Sequence, residues 1–126
     1  MRILILADIH ANLTAFKAVI ADAKRFSPQG AVFLGDLIDY GMRPNEAVAQ
    51  MERLPFPLLG ALQGTHEHAL LNQDTSRFSS ARGMVMSQYT QSQLSTRSRN
   101  YLMGLDASGF AEISLDGKQL LLVHGS

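Results

Sequence analysis

Short apolar runs and longer amphipathic segments alternate through the first half of the chain. The run Arg2–Ala7 is mostly apolar without alternation, which predicts a strand buried on both faces. From about Asn12 to Phe26 apolar residues recur at helical spacing, so this segment predicts a helix with Asn12 as its N-cap. The same patterns predict a strand at Ala31–Leu34, a helix that starts near Pro44, and a strand at Leu58–Leu62. This strand–helix order predicts right-handed crossovers and a parallel sheet.

The second half of the chain is less regular. Helical turns are predicted over Glu67–Leu71, Ala81–Gln88 and Thr96–Met103, with Ser95 as the cap of the last one. Two further apolar segments, Phe110–Leu115 and Lys118–Val123, flank the dipeptide Asp-Gly at positions 116 and 117. That dipeptide between two strand-like segments indicates a two-residue β-hairpin.

Composition limits the class of protein. A chain of 126 residues with 46% hydrophobic residues predicts a single folded domain, residues 1–126. Eleven basic and eleven acidic side chains cancel, so no basic field indicates nucleic acid as a partner. With no cysteine, any metal must be held by His, Asp, Glu or Asn. The apolar run near the start is too short for a signal peptide or a membrane span, so a cytoplasmic protein without a membrane partner is expected.

Polar side chains follow the predicted strands. Asp8 and His10 come after the first strand, Asp36 after the second, His66 after the third and His124 after the last. Ligands collect at the carboxyl ends of strands in a parallel sheet. An extended i, i+2 pair projects to one side, so Asp8 and His10 can reach one cation, and Asp36 can join them or bridge to a second cation. Carboxylate and imidazole together suit Mn, Fe, Zn or Ni better than Ca.

Four stretches carry a resemblance when they are taken together and in order. They are ADIHANLTAF, FLGDLIDYGMRPNEAV, GTHEH and LLLVHGS. In these stretches the chain resembles the calcineurin-like metallophosphoesterase superfamily, in particular its small bacterial phosphodiesterase-like members. The resemblance implies an α/β fold, a sheet sandwich flanked by helices, that hydrolyses phosphomonoesters or phosphodiesters with divalent metals. A metal-bound hydroxide attacks phosphorus in such enzymes, since metal binding lowers the pKa of water.

The resemblance also implies roles for individual residues. Asp8 and His10 would hold the first metal, Asp36 would bridge both metals, and His124 would hold the second. His66 would lie over the phosphate as an electrostatic or general-acid group.

Four neighbouring residues receive supporting roles or none. Asn12 matches a family position near the site, although a helix cap explains it equally well. Asp39 is expected to order its loop by hydrogen bonds, and Glu67 to orient a neighbouring histidine. His68 has no assigned role and is expected on the surface.

The chain departs from the family pattern at three places. Ala11 replaces the usual Gly, and Thr65 replaces the usual Asn, whose amide oxygen is a better metal ligand than a hydroxyl. The family's G-H-x-H motif would follow the V-H-G sequence, but the chain ends first. From these departures we expect a truncated domain with the C-terminal part of the sandwich incomplete, a weakened second metal site and impaired activity. Two alternatives stay open: a non-catalytic metallophosphoesterase-like binding domain, and an α/β structural domain with solvated strand ends.

The partner expected for an active site of this kind is a small phosphorylated substrate. A second partner follows from the hairpin, where Leu120 and Leu122 are expected to face solvent beside an unpaired strand edge. That surface predicts a homodimer through the C-terminal hairpin.

Overall fold

A three-stranded parallel sheet carries helices on one face and a β-hairpin on the other. The computed structural model describes residues 1–76 and 78–125. In chain order the elements are β1 (Ile3–Leu6), α1 (Leu13–Lys24), β2 (Gly30–Phe33), α2 (Pro44–Glu52), β3 (Leu58–Ala61), α3 (Thr65–Leu71), α4 (Ala81–Gln93), α5 (Thr96–Met103), β4 (Phe110–Leu115) and β5 (Lys118–Val123). The predicted α/β fold with a parallel sheet and flanking helices is confirmed.

The sheet has the strand order β1-β2-β3, and neighbouring strands are parallel. Leu4 pairs with Ala31, and Val32 pairs with Gly60 across the central strand. Because the three strands run in one direction, the loops that follow them meet at one edge of the sheet. That edge is where the polar residues of the sequence motifs are placed.

Side chains that alternate along β2 enter two separate cores. Phe33 packs with the helices in the larger core, while Val32 packs with Leu62 and with Leu122 of the hairpin. The larger core contains the buried residues Leu6, Phe16, Ile20, Phe33, Leu37, Ile38, Ala47, Val48, Met51, Leu70, Leu102 and Leu105. The central strand is therefore buried on both faces.

The prediction that the first strand is buried on both faces is wrong. Ile5 on β1 is 63% exposed, although Leu6 is buried in the larger core. The physical reason is position: β1 lies at an edge of the sheet, and the hairpin packs over β2 and the end of β3. Ile3 packs only partly against that smaller core.

The predicted capping and turn residues are confirmed. Asn12 Oδ1 accepts a hydrogen bond from Ala15 N at 3.1 Å, and Ser95 Oγ accepts one from Ser98 N at 3.1 Å. The hairpin turn uses φ values of 49° at Asp116 and 72° at Gly117, the sign that a two-residue turn of this kind requires.

Two helices differ in length from the prediction. Helix α3 begins at Thr65 rather than Glu67, and α4 continues to Gln93 rather than ending at Gln88. Thr90 lies in the added part of α4 with no exposed surface, and its hydroxyl donates to the Met86 carbonyl at 3.1 Å. Because the Thr90 hydroxyl has a hydrogen-bond partner, this polar residue can lie on a buried face and the helix can continue past Gln88. Within the described part of the chain, every helix is too short to cross a lipid bilayer.

The prediction that Leu120 and Leu122 of the hairpin face solvent is wrong. Leu122 is only 5% exposed, and Leu120 is half-buried on the same inward face. The apolar residues that face solvent are Phe110, Leu121 and Val123 on the outward face. Successive side chains of a strand point to opposite faces, so a shift of one residue exchanges the buried and the exposed leucines. The sequence does not reveal which face of the hairpin meets the sheet.

Candidate metal centre

The imidazoles of His10, His66 and His124 lie around the carboxylate of Asp36, and the carboxylate of Asp8 lies beside His10. His10 Nε2 lies 3.8 Å from Asp8 Oδ1 and 3.8 Å from Asp36 Oδ2. His124, which follows β5, places its Nε2 3.4 Å from the same Asp36 Oδ2. His66, at the start of α3, donates from its backbone N to Asp36 Oδ1 at 2.9 Å. The structure thus brings together all five residues of the four sequence motifs.

Backbone carbonyls fix the orientation of two of these imidazoles. His10 Nδ1 lies 2.8 Å from the Ile38 carbonyl oxygen, and His124 Nδ1 lies 2.5 Å from the Leu34 carbonyl oxygen. A carbonyl can only accept, so each Nδ1 carries the proton and each Nε2 of the neutral ring carries a lone pair. Both Nε2 atoms face Asp36 Oδ2, so a metal ion between them would have an imidazole nitrogen on one side and a carboxylate oxygen on the other.

The donor set fits divalent metal ions. Two ligands held at about 2.0–2.2 Å from one ion are roughly 3–4 Å from each other, depending on the angle. The separations of Asp36 Oδ2 from His10 Nε2 and His124 Nε2, 3.8 and 3.4 Å, fall in that range. Asp8 is mostly exposed, with 64% of its side chain accessible, so its carboxylate can adjust to an ion beside His10. Oxygen and imidazole donors in this ratio suit first-row transition metals.

The Asp36 carboxylate is held in a tight and strained environment. Asp36 is 6% exposed and has a φ of 64°, in the left-handed region that non-glycine residues rarely adopt. Gly64 lies directly against it: a Cβ at position 64 would come within 2.2 Å of Asp36 Oδ1. The Gly of the G-T-H-E motif is therefore required by close approach to Asp36.

Glu67 holds the backbone of the Asp36 loop. Its carboxylate has no exposed surface and accepts from four backbone N–H groups, those of Asp36 at 2.7 Å, Leu37 at 2.6 Å, Ile38 at 3.2 Å and Gly64 at 2.8 Å. The expectation that Glu67 orients a histidine is corrected by these contacts. Its partners are backbone groups, and through them it positions the Asp36 carboxylate.

Burial and charge both act on Glu67. Burial raises the pKa of the Glu67 carboxyl, and the negative charge of Asp36 raises it further. Hydrogen bonds from the backbone of Gly64, Asp36 and Leu37 oppose this shift without cancelling it. The site therefore keeps two acidic groups close together in a buried place, where a cation would stabilise both.

Asp39 orients the side chain of His66. His66 Nδ1 lies 2.8 Å from Asp39 Oδ2, and Asp39 is only 1% exposed. The other oxygen, Asp39 Oδ1, is buried without a hydrogen-bond partner among the described residues. The expectation was that Asp39 orders its loop by hydrogen bonds, whereas its observed bond is to the imidazole of His66. That bond leaves His66 Nε2 free to act on a ligand.

The pKa of His66 lies above its ordinary value of 6.5. Burial of the ring lowers that pKa, but the hydrogen bond to Asp39 and the negative charges of Asp36, Asp39 and Glu67 outweigh burial. His10, Asp36 and His66 each offer a ligand atom within 4.8 Å of the others, so His66 is also near enough to contact an ion. A raised pKa favours the protonated ring, which cannot ligate, and this supports an acid or electrostatic role for His66.

Sequence reasoning missed the aromatic side chains around His66. Tyr40 lies edge-on to His10 and to His66, with ring centroids 5.0 Å apart in both pairs. Phe78 packs against the other side of His66 at 5.2 Å. The only sequence signal for Tyr40 is its place directly after Asp39 in the motif loop.

The remaining predicted residues occupy peripheral places. Thr65 is the half-buried first residue of α3, and Asn12 caps α1. His68 is exposed on α3, as expected. A cleft of about 470 Å³ opens beside the metal centre, and Asp8, His10, Asn12, Tyr40, Met42 and Arg43 are among the residues that line it.

Comparison with known proteins identifies the family of this chain. The family model for calcineurin-like phosphoesterases matches residues 1–126. An uncharacterized protein of Methanocaldococcus jannaschii, MJ0912, is 26% identical over 124 residues, which are 98% of this chain and 49% of that protein. The crystal structure of a metallophosphoesterase from Sphaerobacter thermophilus is 34% identical and has a TM-score of 0.68, over 90% of this chain and 44% of that one.

A second structure shows the fold alone. It belongs to a protein assigned provisionally as a diadenosine tetraphosphatase, is 21% identical and has a TM-score of 0.60, over 82% of this chain and 42% of that one. The chain therefore spans about half the length, or less, of each of these three proteins.

Proposed function

The chain belongs to the calcineurin-like phosphoesterase family, and from this premise we propose that it is a metal-dependent phosphoesterase domain acting on small phosphorylated substrates. One observation carries the proposal. The Nε2 atoms of His10 and His124, each with its Nδ1 committed to a backbone carbonyl, face the same oxygen of the buried Asp36. Two imidazole nitrogens and a carboxylate oxygen at these separations are a donor set that suits a divalent cation.

Two divalent ions would share Asp36 in this proposal. Asp8, His10 and Asp36 would hold the first ion, and Asp36 with His124 would hold the second. The donor chemistry favours Mn, Fe, Zn or Ni. When bound, such an ion lowers the pKa of a coordinated water and so supplies hydroxide near neutral pH.

The chain's own residues then position the substrate and handle a proton. Glu67 keeps the Asp36 loop in place through its four backbone hydrogen bonds. Asp39 accepts from His66 Nδ1, so the protonated ring presents Nε2–H towards a phosphoryl group in the centre. From Nε2 the ring stabilises negative charge on a phosphoryl oxygen or donates its proton to the leaving group.

Turnover of a generic aryl phosphodiester in added Mn²⁺ tests the proposal. The natural chain should hydrolyse bis(4-nitrophenyl) phosphate only with metal, and Asp36→Asn should abolish this turnover. Asp22→Asn is the matched control, because Asp22 is an exposed aspartate on α1 that pairs with Arg25. Metal binding without turnover in the natural chain would identify the non-catalytic binding domain instead, and absence of metal binding would overturn both.

We also propose that the second ion binds more weakly than the first, which lowers the activity of this chain. The support is the ligand set, because Thr65 offers a hydroxyl where the family has an amide oxygen. Thr65→Asn should therefore raise the affinity for a second ion, measured by calorimetric titration with Mn²⁺. Identical stoichiometry and affinity in the two proteins would show that position 65 does not contact that ion.

A further inference from the structure

Three aromatic rings beside the metal centre contact one another edge to face. The centroid of the Tyr40 ring lies 5.0 Å from that of His10 and 5.0 Å from that of His66, and the two imidazole centroids are 4.9 Å apart. The planes of these three pairs are inclined at 81°, 63° and 84°, in that order. Rings in this geometry attract one another, because the positive edge of one ring meets the negative face of the next. Each ring is therefore held by the other two.

The two imidazoles need these contacts for the orientation of their ring planes. Among the described residues, His10 makes one side-chain hydrogen bond, between Nδ1 and the Ile38 carbonyl, and His66 makes one, between Nδ1 and Asp39 Oδ2, both at 2.8 Å. A hydrogen bond tolerates a range of angles, so it places Nδ1 without fixing the tilt of the ring. The direction of each Nε2 therefore depends on a second contact, and the Tyr40 ring supplies one to both imidazoles.

Tyr40 is itself held in place at its backbone and at the tip of its side chain. Its φ of 62° lies in the left-handed region, a conformation that persists where the surrounding structure imposes it. Gly41 N donates to the His10 carbonyl at 2.9 Å, and a Cβ at Gly41 would overlap the same oxygen. The Tyr40 hydroxyl oxygen lies over the first turn of α4, 3.6 Å from the place of a Cβ at Gly83. The ring is thus fixed between the His10 loop and α4.

Neither core packing nor a hydrogen bond accounts for the position of Tyr40. The residue is 45% exposed and belongs to neither of the two cores that the described residues form. Its hydroxyl has no hydrogen-bond partner within residues 1–76 and 78–125. The ring contacts that it makes in this part of the chain are those with His10 and His66. These two contacts are therefore what the side chain contributes to the folded protein.

We propose that Tyr40 is a positioning residue that orients His10 towards the metal ion and His66 towards the phosphoryl group. The proposal rests on the phosphoesterase function proposed above and adds a residue to the same site. Because one ring contacts both imidazoles, one substitution at position 40 acts on ion binding through His10 and on turnover through His66. Loss of a partner that orients a metal-ligating histidine costs about 10–100-fold in metal affinity or activity. The contacting surface is the aromatic ring, so the hydroxyl is dispensable.

Two substitutions at position 40 test the proposal. Tyr40→Leu removes the ring and keeps a large apolar side chain, whereas Tyr40→Phe removes only the hydroxyl. Calorimetric titration with Mn²⁺ gives the affinity and the fraction of protein that binds, and kcat for bis(4-nitrophenyl) phosphate in saturating Mn²⁺ is then expressed per binding molecule. We expect Tyr40→Leu to bind Mn²⁺ about tenfold more weakly and to have a kcat about tenfold lower. Tyr40→Phe should match the natural chain in both.

Tyr101→Leu is the matched control, because Tyr101 is a half-buried tyrosine on α5 that packs against the larger core. It should lower the melting temperature and leave the Mn²⁺ affinity and kcat unchanged. A second comparison uses His66→Gln as the background. If Tyr40 acts on turnover through His66, Tyr40→Leu should lower kcat no further in that background, while it should still weaken Mn²⁺ binding.

Four results would overturn the role of the Tyr40 ring. They are an unchanged Tyr40→Leu variant, a loss confined to either affinity or kcat, a Tyr40→Phe variant as impaired as Tyr40→Leu, and a full further loss of kcat in the His66→Gln background. Mn²⁺ binding by the natural chain without turnover would overturn the phosphoesterase function alone, because weaker Mn²⁺ binding by Tyr40→Leu would still support the contact with His10. Absence of Mn²⁺ binding by the natural chain would overturn both.

Discussion

Four aspartates among the described residues adopt the left-handed backbone conformation, and two of them, Asp116 and Asp36, lie in very different surroundings. Asp116 has a φ of 49° in the hairpin turn, is 63% exposed in its side chain, and pairs with the N-terminal amine at 3.2 Å. Asp36 has a φ of 64° but is buried, with its backbone N bonded to Glu67 and its carboxylate bonded to the backbone of His66. The same backbone conformation therefore belongs to a local turn at Asp116 and, at Asp36, to a cluster of residues that are far apart in the sequence.

The difference shows what marks a functional position. A two-residue hairpin turn of this kind requires a positive φ at both central residues, which are Asp116 and Gly117 here. At Asp36 no turn of that kind is made, and the conformation is imposed by a buried carboxylate 31 residues further along the chain. Strain that needs a buried charged group to maintain it indicates a site, whereas strain in an exposed turn does not.

The largest expected effect follows from removing the group that imposes the Asp36 conformation. Glu67→Ala leaves buried N–H groups of the loop without an acceptor, so we expect the free energy of unfolding to fall by about 3–5 kcal/mol. Glu46→Ala is the matched control, because Glu46 lies exposed in the first turn of α2 and should change stability by less than about 0.5 kcal/mol. Urea unfolding measures both variants. Equal effects would mean that the Asp36 loop does not depend on Glu67.

Metal-induced stabilisation should separate the two aspartates directly. A ligand at 100 times its dissociation constant stabilises a folded protein by about 2.7 kcal/mol, so added Mn²⁺ should raise the melting temperature of the natural chain. Asp36→Asn should lose this increase, and Asp116→Asn should keep it, since that side chain lies on the exposed hairpin turn. Calorimetry with and without chelator measures the shift. An Asp36→Asn variant that keeps the full increase would place the ion elsewhere.

The same contrast explains how much the sequence could predict. The turn at Asp116 is local: two adjacent residue types determine it, and its prediction is confirmed. The placement of Asp8, His10 and Asp36 at one edge of the sheet also follows from the sequence, because parallel strands end on the same side.

Contacts across long separations could not be predicted. The bond between Asp39 and His66 joins residues 27 apart, and the bonds of Glu67 reach 31 residues back, so both depend on the path of two loops. The spacing of apolar residues along the chain does not reveal the paths of these loops. The exposed face of Ile5 and the buried face of Leu122 were missed for a related reason, since a strand's pattern does not reveal which neighbours cover it.

The smallest expected effect concerns the pH dependence of stability in the metal-free protein. The raised pKa of His66 means that the folded chain holds this proton more tightly than the unfolded chain. The resulting stabilisation is fully present below the ordinary value of 6.5 and is lost as the pH rises through the higher folded value. Asp39→Asn removes the charged partner of that ring, so its stability should fall less over the same interval. Urea unfolding from just below pH 6.5 upwards compares the two proteins, and this range avoids the ordinary titration of the carboxylates. Superimposable pH profiles would show that Asp39 positions the imidazole without holding its proton, and the acid role of His66 would then lose its support.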